Sequence, residues 1–221
     1  MKSDRIIRFT RSAPSAKLIR ILERHLLAGG VAVLPTETQY ALAAIATSKR
    51  NVARVRAIKG RSDKLPFSVF LPDCQSLHRW RVELPESAEL LAEAFWPGPM
   101  TLILPTRHAA LRRLGGGATV GIRVSPEPVI EKLCRRLGTP LLATSANPSG
   151  LVLSAREENH WLSTQVEVHG MIWARPARYR RHVTSTVLDC TSPRIRAVRP
   201  GAIPERIWRQ ALPSDTIERV R

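Results

Sequence analysis

The sequence VAVLPTETQY, residues 31–40, is the segment around which we expect the chain to be arranged. It begins with four apolar residues, which predict a buried strand, and continues into a turn with two hydroxyl groups and a carboxylate. A helical pattern at residues 51–58 follows and leads to the cations Lys59 and Arg61. A strand, a polar turn and a pair of cations in this order indicate a site for a small polar substrate beside a polyphosphate.

Strand and helix patterns alternate along the chain, and neither an internal repeat nor a long low-complexity linker interrupts them. The predicted strands lie at residues 31–34, 66–71, 100–104, 119–124, 140–144, 186–188 and 195–198, and residues 41–46 form either a further strand or a tight connection. The predicted helices lie at residues 18–26, 51–58, 85–95, 129–137 and 205–212, with one more short helix capped by Ser154 and Glu157. Such alternation is typical of an α/β domain on a mixed sheet, in which ligands bind beyond the carboxyl ends of the strands.

The charge balance indicates an anionic partner. The chain has 35 Lys and Arg residues against 18 Asp and Glu residues, a formal net charge of +17, and arginines cluster at residues 175–181. A domain this basic attracts the phosphates of nucleic acid or of nucleotides, although part of an arginine excess can also cover solvated surfaces. Three cysteines without CxxC spacing argue against a disulfide framework and structural zinc, so we expect a reducing, cytoplasmic location. No apolar run approaches the roughly 18 residues of a membrane span, and we expect no membrane partner.

Polar residues also follow or precede the other predicted strands. Ser145 and Asn147 lie on a loop after the strand at 140–144, Ser185 precedes another strand, and Arg199 follows the last one. Because strand ends of an α/β sheet meet at one edge, we expect these side chains to share a site. Each has a simpler interpretation as well, since Ser and Asn make local turns and a basic residue at a helix end complements the helix dipole.

Arg123 lies inside the apolar strand pattern VGIRV, where a buried charge needs a carboxylate or a ligand as its partner. We favour a ligand. In the polar turn, Thr36 is the residue that we expect to contact a hydroxylated amino acid, and Glu37 could pair with a basic neighbour. Tyr40 is expected in the core, with an adenine platform as the alternative. The six histidines show no ligand spacing, so no metal site is predicted.

Taken together, these segments resemble the YrdC-like threonylcarbamoyl-AMP synthases. The segments that carry the resemblance, in family order, are PTETQYAL (35–42), KGR (59–61), FWPGPMTLIL (95–104), VGIRV (120–124), LLATSANPSG (141–150), the strand Ser185-Thr186-Val187 and RPGAI (199–203). The resemblance spans residues 16–203, nearly the whole chain, and the length matches the short, single-domain form of the family. It implies an open, twisted α/β sheet with flanking helices and a positively charged cavity.

The resemblance also implies an activity and its site. Members of the family condense L-threonine, bicarbonate and ATP into threonylcarbamoyl-AMP and release pyrophosphate, the first step toward threonylcarbamoyladenosine in tRNA. By motif position, the residues that would bind ATP are Lys59, Arg61, Thr119, Asn147 and Arg199, of which Lys59 and Arg61 would also be catalytic. The residues that would bind threonine are Thr36, Arg123, Ser145 and Ser185. Mg²⁺ would arrive with ATP, because no carboxylate pair for a protein-held metal is evident.

The same resemblance sets the expected domain and its partners. The catalytic domain, a nucleotidyltransferase, would span residues 16–212, with an N-terminal extension at 1–15 and a C-terminal tail at 213–221. Its product would pass to a tRNA threonylcarbamoyltransferase complex, and the basic surface could contact RNA.

The chain departs from the family pattern at four positions. Ala41 and Ala43 replace flexible glycines, Ser62 follows the KxR motif where proline is common, and Phe70 stands where many members have histidine. These changes affect the threonine pocket more than the phosphate site. Two alternatives therefore stay open, namely a relative with altered amino acid specificity and a non-catalytic RNA-binding protein that uses the same cavity. The sequence shows no aromatic RNA-reading motif, which disfavours the second alternative.

Overall fold

The computed structural model describes residues 5–62, 65–151, 153–177 and 183–217 of the chain. Within these ranges the chain forms ten strands, which join into one sheet, and eight α-helices. The strands are β1 (Ile6–Phe9), β2 (Ala32–Leu34), β3 (Ala41–Ala43), β4 (Ser68–Leu71), β5 (Met100–Pro105), β6 (Thr119–Val124), β7 (Leu141–Ser145), β8 (Ile172–Pro176), β9 (Thr186–Asp189) and β10 (Arg196–Arg199). The helices are α1 (Ala16–Leu27), α2 (Lys49–Lys59), α3 (Ser76–Arg79), α4 (Glu86–Phe95), α5 (Ala109–Gly115), α6 (Pro128–Leu137), α7 (Ala155–His169) and α8 (Glu205–Arg209). None of the helices in these ranges is both long and apolar enough to cross a membrane.

The sheet mixes parallel and antiparallel pairs, in the order β1-β8-β2-β3-β7-β4-β6-β5-β9-β10. The pairs β1–β8, β8–β2, β4–β6 and β5–β9 are parallel, and the other neighbours are antiparallel. Strands β1 and β10 are the two edges and do not pair with each other, so the sheet is open. The prediction of a single α/β domain on an open, mixed sheet is confirmed.

Helices α1 and α6 cover one part of a sheet face with apolar side chains. In α1, Leu18, Leu22 and Leu26 recur every four residues and are buried, and the Ser15 hydroxyl begins the helix by accepting a hydrogen bond from the Leu18 N–H. The buried side chains of α6 join the same cluster, which extends to Phe70 of β4. Burying a side chain of this size contributes about 1.5–3 kcal/mol. This apolar cluster holds the two helices on the sheet and ends at Phe70.

The short strands β1 and β8 are absent from the elements predicted above. Strand β1 lies within residues 1–15, the predicted N-terminal extension, and pairs in parallel with β8. Strand β8 includes Arg175, so the predicted basic loop begins as a strand, and residues 178–182 lie outside the described part of the chain. The two strands have four and five residues, and such short segments with a partner far away in sequence show little periodicity of their own.

The short helices α3 and α5 are also absent from the predicted elements, and two further helices and one strand differ in extent from the predictions. Helix α7 has 15 residues and is not short, because Glu158, Leu162 and Val166 continue a buried stripe well beyond the predicted capping box. Helix α8 ends at Arg209, three residues before the predicted end at 212. The segment predicted as a strand or a tight connection at 41–46 forms β3 over its first three residues. The alanines of β3 need no positive φ, since Arg81 is the one non-glycine residue with positive φ in the described ranges.

The β9–β10 hairpin depends on a close approach at Gly201. A Cβ atom added at Gly201 would lie 2.3 Å from the carbonyl carbon of Ser185 and 2.3 Å from the backbone nitrogen of Thr186. The Thr186 hydroxyl donates to the Ile203 carbonyl at 2.8 Å and accepts from the Ile203 N–H at 3.0 Å, which fixes the chain after β10 against the start of β9. Only glycine allows the two backbones to come this close.

Substituting Gly201 should therefore destabilise the protein. In Gly201→Ala the new methyl group overlaps backbone atoms, which cannot move aside as a flexible side chain can, so we expect a loss of about 2 kcal/mol or more in unfolding free energy. Urea denaturation at equilibrium measures this loss. Arg194→Ala, in the exposed turn of the same hairpin, is the control and should change the unfolding free energy by less than about 0.5 kcal/mol. Equal stability of the two variants would contradict the close approach.

Candidate active site

A cavity of about 150 Å³ lies on the sheet next to the apolar cluster, with Phe70 at the boundary between them. Its floor consists of strand residues that point to one face, and its wall includes the loop after β2. The lining residues are Thr36, Thr38, Gln39, Tyr40, Ala41, Arg61, Pro66, Phe67, Ser68, Phe70, Thr101, Arg123, Ala143, Thr144, Ser145, Thr184, Ser185, Val187 and Arg199. This volume is below the roughly 300–1,000 Å³ of drug-sized ligand pockets, so it suits a ligand of amino-acid size, and a nucleotide would extend beyond it.

The loop after β2 is shaped by the hydroxyl of Thr36. This hydroxyl donates to the Gln39 carbonyl at 2.6 Å and accepts from the N–H groups of Thr38 at 3.0 Å and Gln39 at 3.1 Å. Such side-chain-to-backbone bonds form a compact turn. Thr36 is only 1% exposed, and its hydroxyl forms its hydrogen bonds within the loop itself. The predicted contact of Thr36 with a ligand would therefore have to compete with these bonds.

Arg123 is held from one side by the same loop. Its Nη2 lies 2.9 Å from Oε1 of Glu37 and donates to the Thr38 hydroxyl at 2.7 Å, while its Nε donates to Oε1 of Glu37 at 3.3 Å. The guanidinium carbon lies 5.8 Å from the centre of the Phe70 ring. Arg123 therefore has a carboxylate partner, one of the two alternatives foreseen for it, and it also lines the cavity. The ligand that we favoured as its partner stays a prediction.

Arg199 approaches the cavity from the sheet edge. Its Nη2 donates to the carbonyl and to the hydroxyl of Ser185, both at 2.9 Å, and the Ser185 hydroxyl lies 3.1 Å from that of Thr101. Burial, and then the nearby positive charge of Arg123, lower the pKa of Arg199 below its ordinary value. Arg123 and Arg199 both line the cavity, and two guanidinium groups that repel each other form a site for an anion such as a carboxylate.

Lys59 is buried at the end of α2 and binds the loop after β7. Its Nζ donates to the carbonyls of Ser145 at 2.5 Å and Asn147 at 2.6 Å, and to Oδ1 of Asn147 at 3.2 Å. Gly60 follows with φ 56°, the left-handed conformation that ends the helix and turns the chain before Arg61. Burial, and then the charge of Arg61, lower the pKa of Lys59 to about 7. The three donors of the ammonium group thus bind the last residue of β7, Ser145, and Asn147 in the loop that follows it.

Arg61 lines the cavity beyond this turn. Its guanidinium lies 4.9 Å from the centre of the Phe67 ring, its Nη2 donates to the Pro66 carbonyl at 2.7 Å, and its Nε is buried without a hydrogen-bond partner among the described residues. Burial, and then the neighbouring Arg56, lower its pKa below the ordinary value. A half-buried guanidinium with an unused donor is suited to an anionic ligand.

Most of the predicted site residues come together at this cavity. Those that line it are Thr36, Arg61, Arg123, Ser145, Ser185 and Arg199. Lys59 and Asn147 lie one contact away from the cavity, because each is hydrogen-bonded to the lining residue Ser145. Lys59 donates to the Ser145 carbonyl, and the Ser145 hydroxyl donates to Oδ1 of Asn147 at 2.5 Å. Thr119 is not part of the lining and begins β6, where it pairs with Pro105.

Sequence reasoning missed several polar lining residues. Thr38 contacts Arg123, Thr101 contacts Ser185, and Ser68, Thr144 and Thr184 also face the cavity. The signal that could have found Thr101 is its position in β5, where it is a buried polar residue in an otherwise apolar strand.

Tyr40 is 3% exposed and packs edge-on against Trp173 with ring centres 5.4 Å apart, and burial raises its pKa to about 12. It therefore belongs to the core as expected, although it also borders the cavity.

The described lining carries three cations, Arg61, Arg123 and Arg199, and no carboxylate of its own, so the cavity favours anions. Glu37 lies outside this lining and compensates the charge of Arg123 through an ion pair. No group of three or more His, Cys, Asp or Glu residues that could hold a metal ion occurs in the described part of the chain.

Comparison with known proteins identifies the family. The family model Sua5_yciO_yrdC, whose description is "Telomere recombination", matches residues 24–201. The chain belongs to the Sua5/YciO/YrdC family. The resemblance found in the sequence is therefore confirmed.

Relatives in the Sua5/YciO/YrdC family are similar over most of this chain. The threonylcarbamoyl-AMP synthase of Pyrococcus abyssi is 34% identical over 189 residues, which cover 84% of this chain and 54% of the relative. The threonylcarbamoyl-AMP synthase of Bacillus subtilis is 35% identical over 175 residues, which cover 78% of this chain and 50% of the relative. The chain thus spans about half the length of these two curated relatives. The crystal structure of P. abyssi Sua5 complexed with L-threonine superposes with a TM-score of 0.82 and 32% identity, over 94% of this chain and 60% of that chain.

The lowered pKa of Lys59 should make stability depend on pH. The folded protein releases this proton near pH 7 and the unfolded chain near the ordinary value of 10.5, so between these values the unfolded chain binds more protons and stability rises with pH. Below pH 7 both states carry the charge, and the burial penalty applies in full. The penalty is a few kcal/mol at most, at ~1.4 kcal/mol per pKa unit.

Urea denaturation from pH 6 to 10 tests this dependence. Wild type should gain stability relative to Lys59→Met as the pH rises, and Lys49→Met, which removes an exposed ammonium from the same helix, is the control. Parallel pH profiles of wild type and Lys59→Met would show that Lys59 keeps its ordinary pKa.

Proposed function

We propose that this protein is a nucleotidyltransferase that condenses L-threonine, bicarbonate and ATP into threonylcarbamoyl-AMP and pyrophosphate. The observation that carries the proposal is the cavity itself, which gathers cations and hydroxyl groups from separate strands around a volume of about 150 Å³. Two relatives named threonylcarbamoyl-AMP synthase and a Sua5 structure complexed with L-threonine support it.

The amino acid would bind at the end of the cavity that contains Arg123 and Arg199. The two guanidinium groups would bind its carboxylate, and the hydroxyls of Ser185 and Thr101 would accept or donate hydrogen bonds at its polar groups. Phe70 and Val187 form an apolar part of the same lining and would contact the methyl group of threonine. A carboxylate, a hydroxyl and a methyl group are the features by which a site can select threonine.

The nucleotide would bind at the end of the cavity that contains Arg61, with its phosphates toward Arg61 and toward the loop that Lys59 holds. The threonine amine first adds to bicarbonate with loss of water, which gives a carbamate. A carbamate oxygen then forms a bond to the α-phosphorus of ATP, and the bond from that phosphorus to the bridging oxygen breaks, so pyrophosphate leaves. Such a step requires charge neutralisation and alignment more than a side-chain nucleophile, and the three arginines of the lining would supply the positive charge.

We propose that Mg²⁺ reaches the site with ATP. The described residues contain no acidic cluster to hold the ion, so the phosphates would be its main ligands, and the ion would neutralise part of their charge.

The product would pass to an enzyme that transfers the threonylcarbamoyl group to tRNA, since an acyl adenylate hydrolyses readily in water. The excess of basic residues would also favour contact with RNA, in a reducing compartment such as the cytoplasm. Simple RNA binding without catalysis would require neither the Ser145 and Asn147 loop nor an amino-acid-sized cavity, and it is the weaker proposal.

Pyrophosphate release tests the activity directly. Protein incubated with ATP, Mg²⁺ and bicarbonate should release pyrophosphate in the presence of L-threonine and only at background rate without it. L-serine and L-valine, which each lack one feature of threonine, are the controls for specificity. A rate that is independent of the amino acid would refute the proposed function, and a preference for valine would support altered specificity.

Removing the Arg61 side chain should weaken ATP binding, and removing that of Arg56 should not. Both guanidiniums lie over the Phe67 ring, at 4.9 Å and 4.6 Å, but only Arg61 lines the cavity. A hydrogen bond to a charged group contributes about 1.5–3 kcal/mol, so Arg61→Ala should raise the KM for ATP about 10- to 100-fold. Arg56→Ala, which removes the same ring contact, should change it less than about threefold. Equal effects in steady-state kinetics would place the role of Arg61 in the loop and not at the nucleotide.

A further inference from the structure

We infer that Glu37 is a positioning residue, which orients Arg123 so that the guanidinium presents its remaining edge to the carboxylate of the amino acid. The inference rests on the proposed function and adds to it a residue outside the cavity lining. Glu37 acts through Arg123 and does not itself need to touch the substrate.

The contacts of Arg123 leave one side of its guanidinium for a ligand. Nε and Nη2 bind Glu37 and Thr38, and Nη1 has no protein hydrogen bond among the described residues. The Arg123 side chain is 9% exposed and that of Glu37 is 16% exposed, so the pair is shielded from solvent and keeps a fixed geometry. Because a guanidinium is planar and rigid, fixing two of its nitrogens also fixes the direction of the third.

Glu37 is itself held from the other side by a chain of bonds. Its Oε2 accepts from the Ser125 hydroxyl at 2.7 Å, and the Ser125 oxygen accepts from the Glu127 N–H at 3.3 Å. Glu127 is 4% exposed and forms an ion pair with Arg11, whose Nη2 also donates to the Thr36 carbonyl at 3.1 Å. The network therefore joins the segment after β1, the loop after β2 and the start of α6. An ion pair supported at both ends is suited to hold a side chain in one rotamer.

The direction in which the affinity for the amino acid changes when Glu37 is removed distinguishes a positioning role from a purely electrostatic one. Glu37 neutralises Arg123, so by charge alone its removal would leave the cavity more positive and would strengthen the binding of a carboxylate. If Glu37 orients Arg123, its removal frees the guanidinium to adopt other rotamers and weakens that binding. The two roles thus predict opposite changes in the affinity for the amino acid.

The experiment measures equilibrium binding of L-threonine and, separately, of ATP by titration calorimetry, together with the thermal midpoint of each variant. In Glu37→Gln we expect the Kd for L-threonine to rise about tenfold, the loss of roughly one charge-assisted hydrogen bond. The Kd for ATP should change less than about twofold, even where the loss of a shielded ion pair lowers the thermal midpoint. Ser125→Ala, which loosens Glu37 without changing any charge, should weaken L-threonine binding in the same direction. Glu131→Gln, which removes a carboxylate from the exposed face of α6, is the matched control and should alter neither affinity.

Each other result overturns the inference. Tighter or unchanged L-threonine binding in Glu37→Gln would show that Glu37 acts through charge or not at all. Equal losses of threonine and ATP binding together with a lowered thermal midpoint would show a purely structural role. Failure of the wild type itself to bind L-threonine would refute the proposed function, and with it this inference, whereas the first two results would leave the proposed function intact.

Discussion

The structure depends on the division of one sheet face into an apolar part and a polar part. Over the apolar part, the leucines of α1 and the buried side chains of α6 exclude water and supply packing energy. Beyond Phe70 the same face carries serines, threonines and arginines and remains a hollow. The apolar part stabilises the fold, which allows the polar part to keep groups that a core would not tolerate.

The polar part also holds cations whose removal from water is unfavourable, namely the lining arginines, and Lys59 lies beside it. Burial lowers the pKa of Lys59, Arg61 and Arg199 alike, which means that the folded protein holds their charges at an energetic cost. Backbone carbonyls compensate part of this cost, at Ser145 and Asn147 for Lys59 and at Ser185 for Arg199. An anion in the cavity would compensate the rest, so ligand binding and stability should be coupled in this protein. Charged groups that lower the stability of the ligand-free protein and favour the binding of an anion are typical of functional sites.

The sequence predicted the central strands and much of the site, and it failed where structure depends on distant pairing. The α/β alternation and the polar strand ends were visible because they follow local periodicity and turn chemistry. Strands β1 and β8 were not visible, since each is short and is defined by its neighbour in the sheet. Motif order placed Arg123 and Ser145 correctly at the cavity, but it gave no sign that the Thr36 hydroxyl is used by its own turn. Partners of this kind depend on side-chain geometry, which a pattern of residue types does not contain.

The bond from Arg11 to the Thr36 carbonyl has a consequence for how the family can diverge. Segments near a chain terminus commonly tolerate truncation and insertion, because few contacts depend on them. Here the segment that follows the edge strand supplies a donor to the loop that walls the cavity. A lineage that shed or rebuilt this edge would leave a carbonyl oxygen in need of a new partner, and its loop would have to evolve a replacement at the same time. This part of the periphery therefore takes part in shaping the cavity wall.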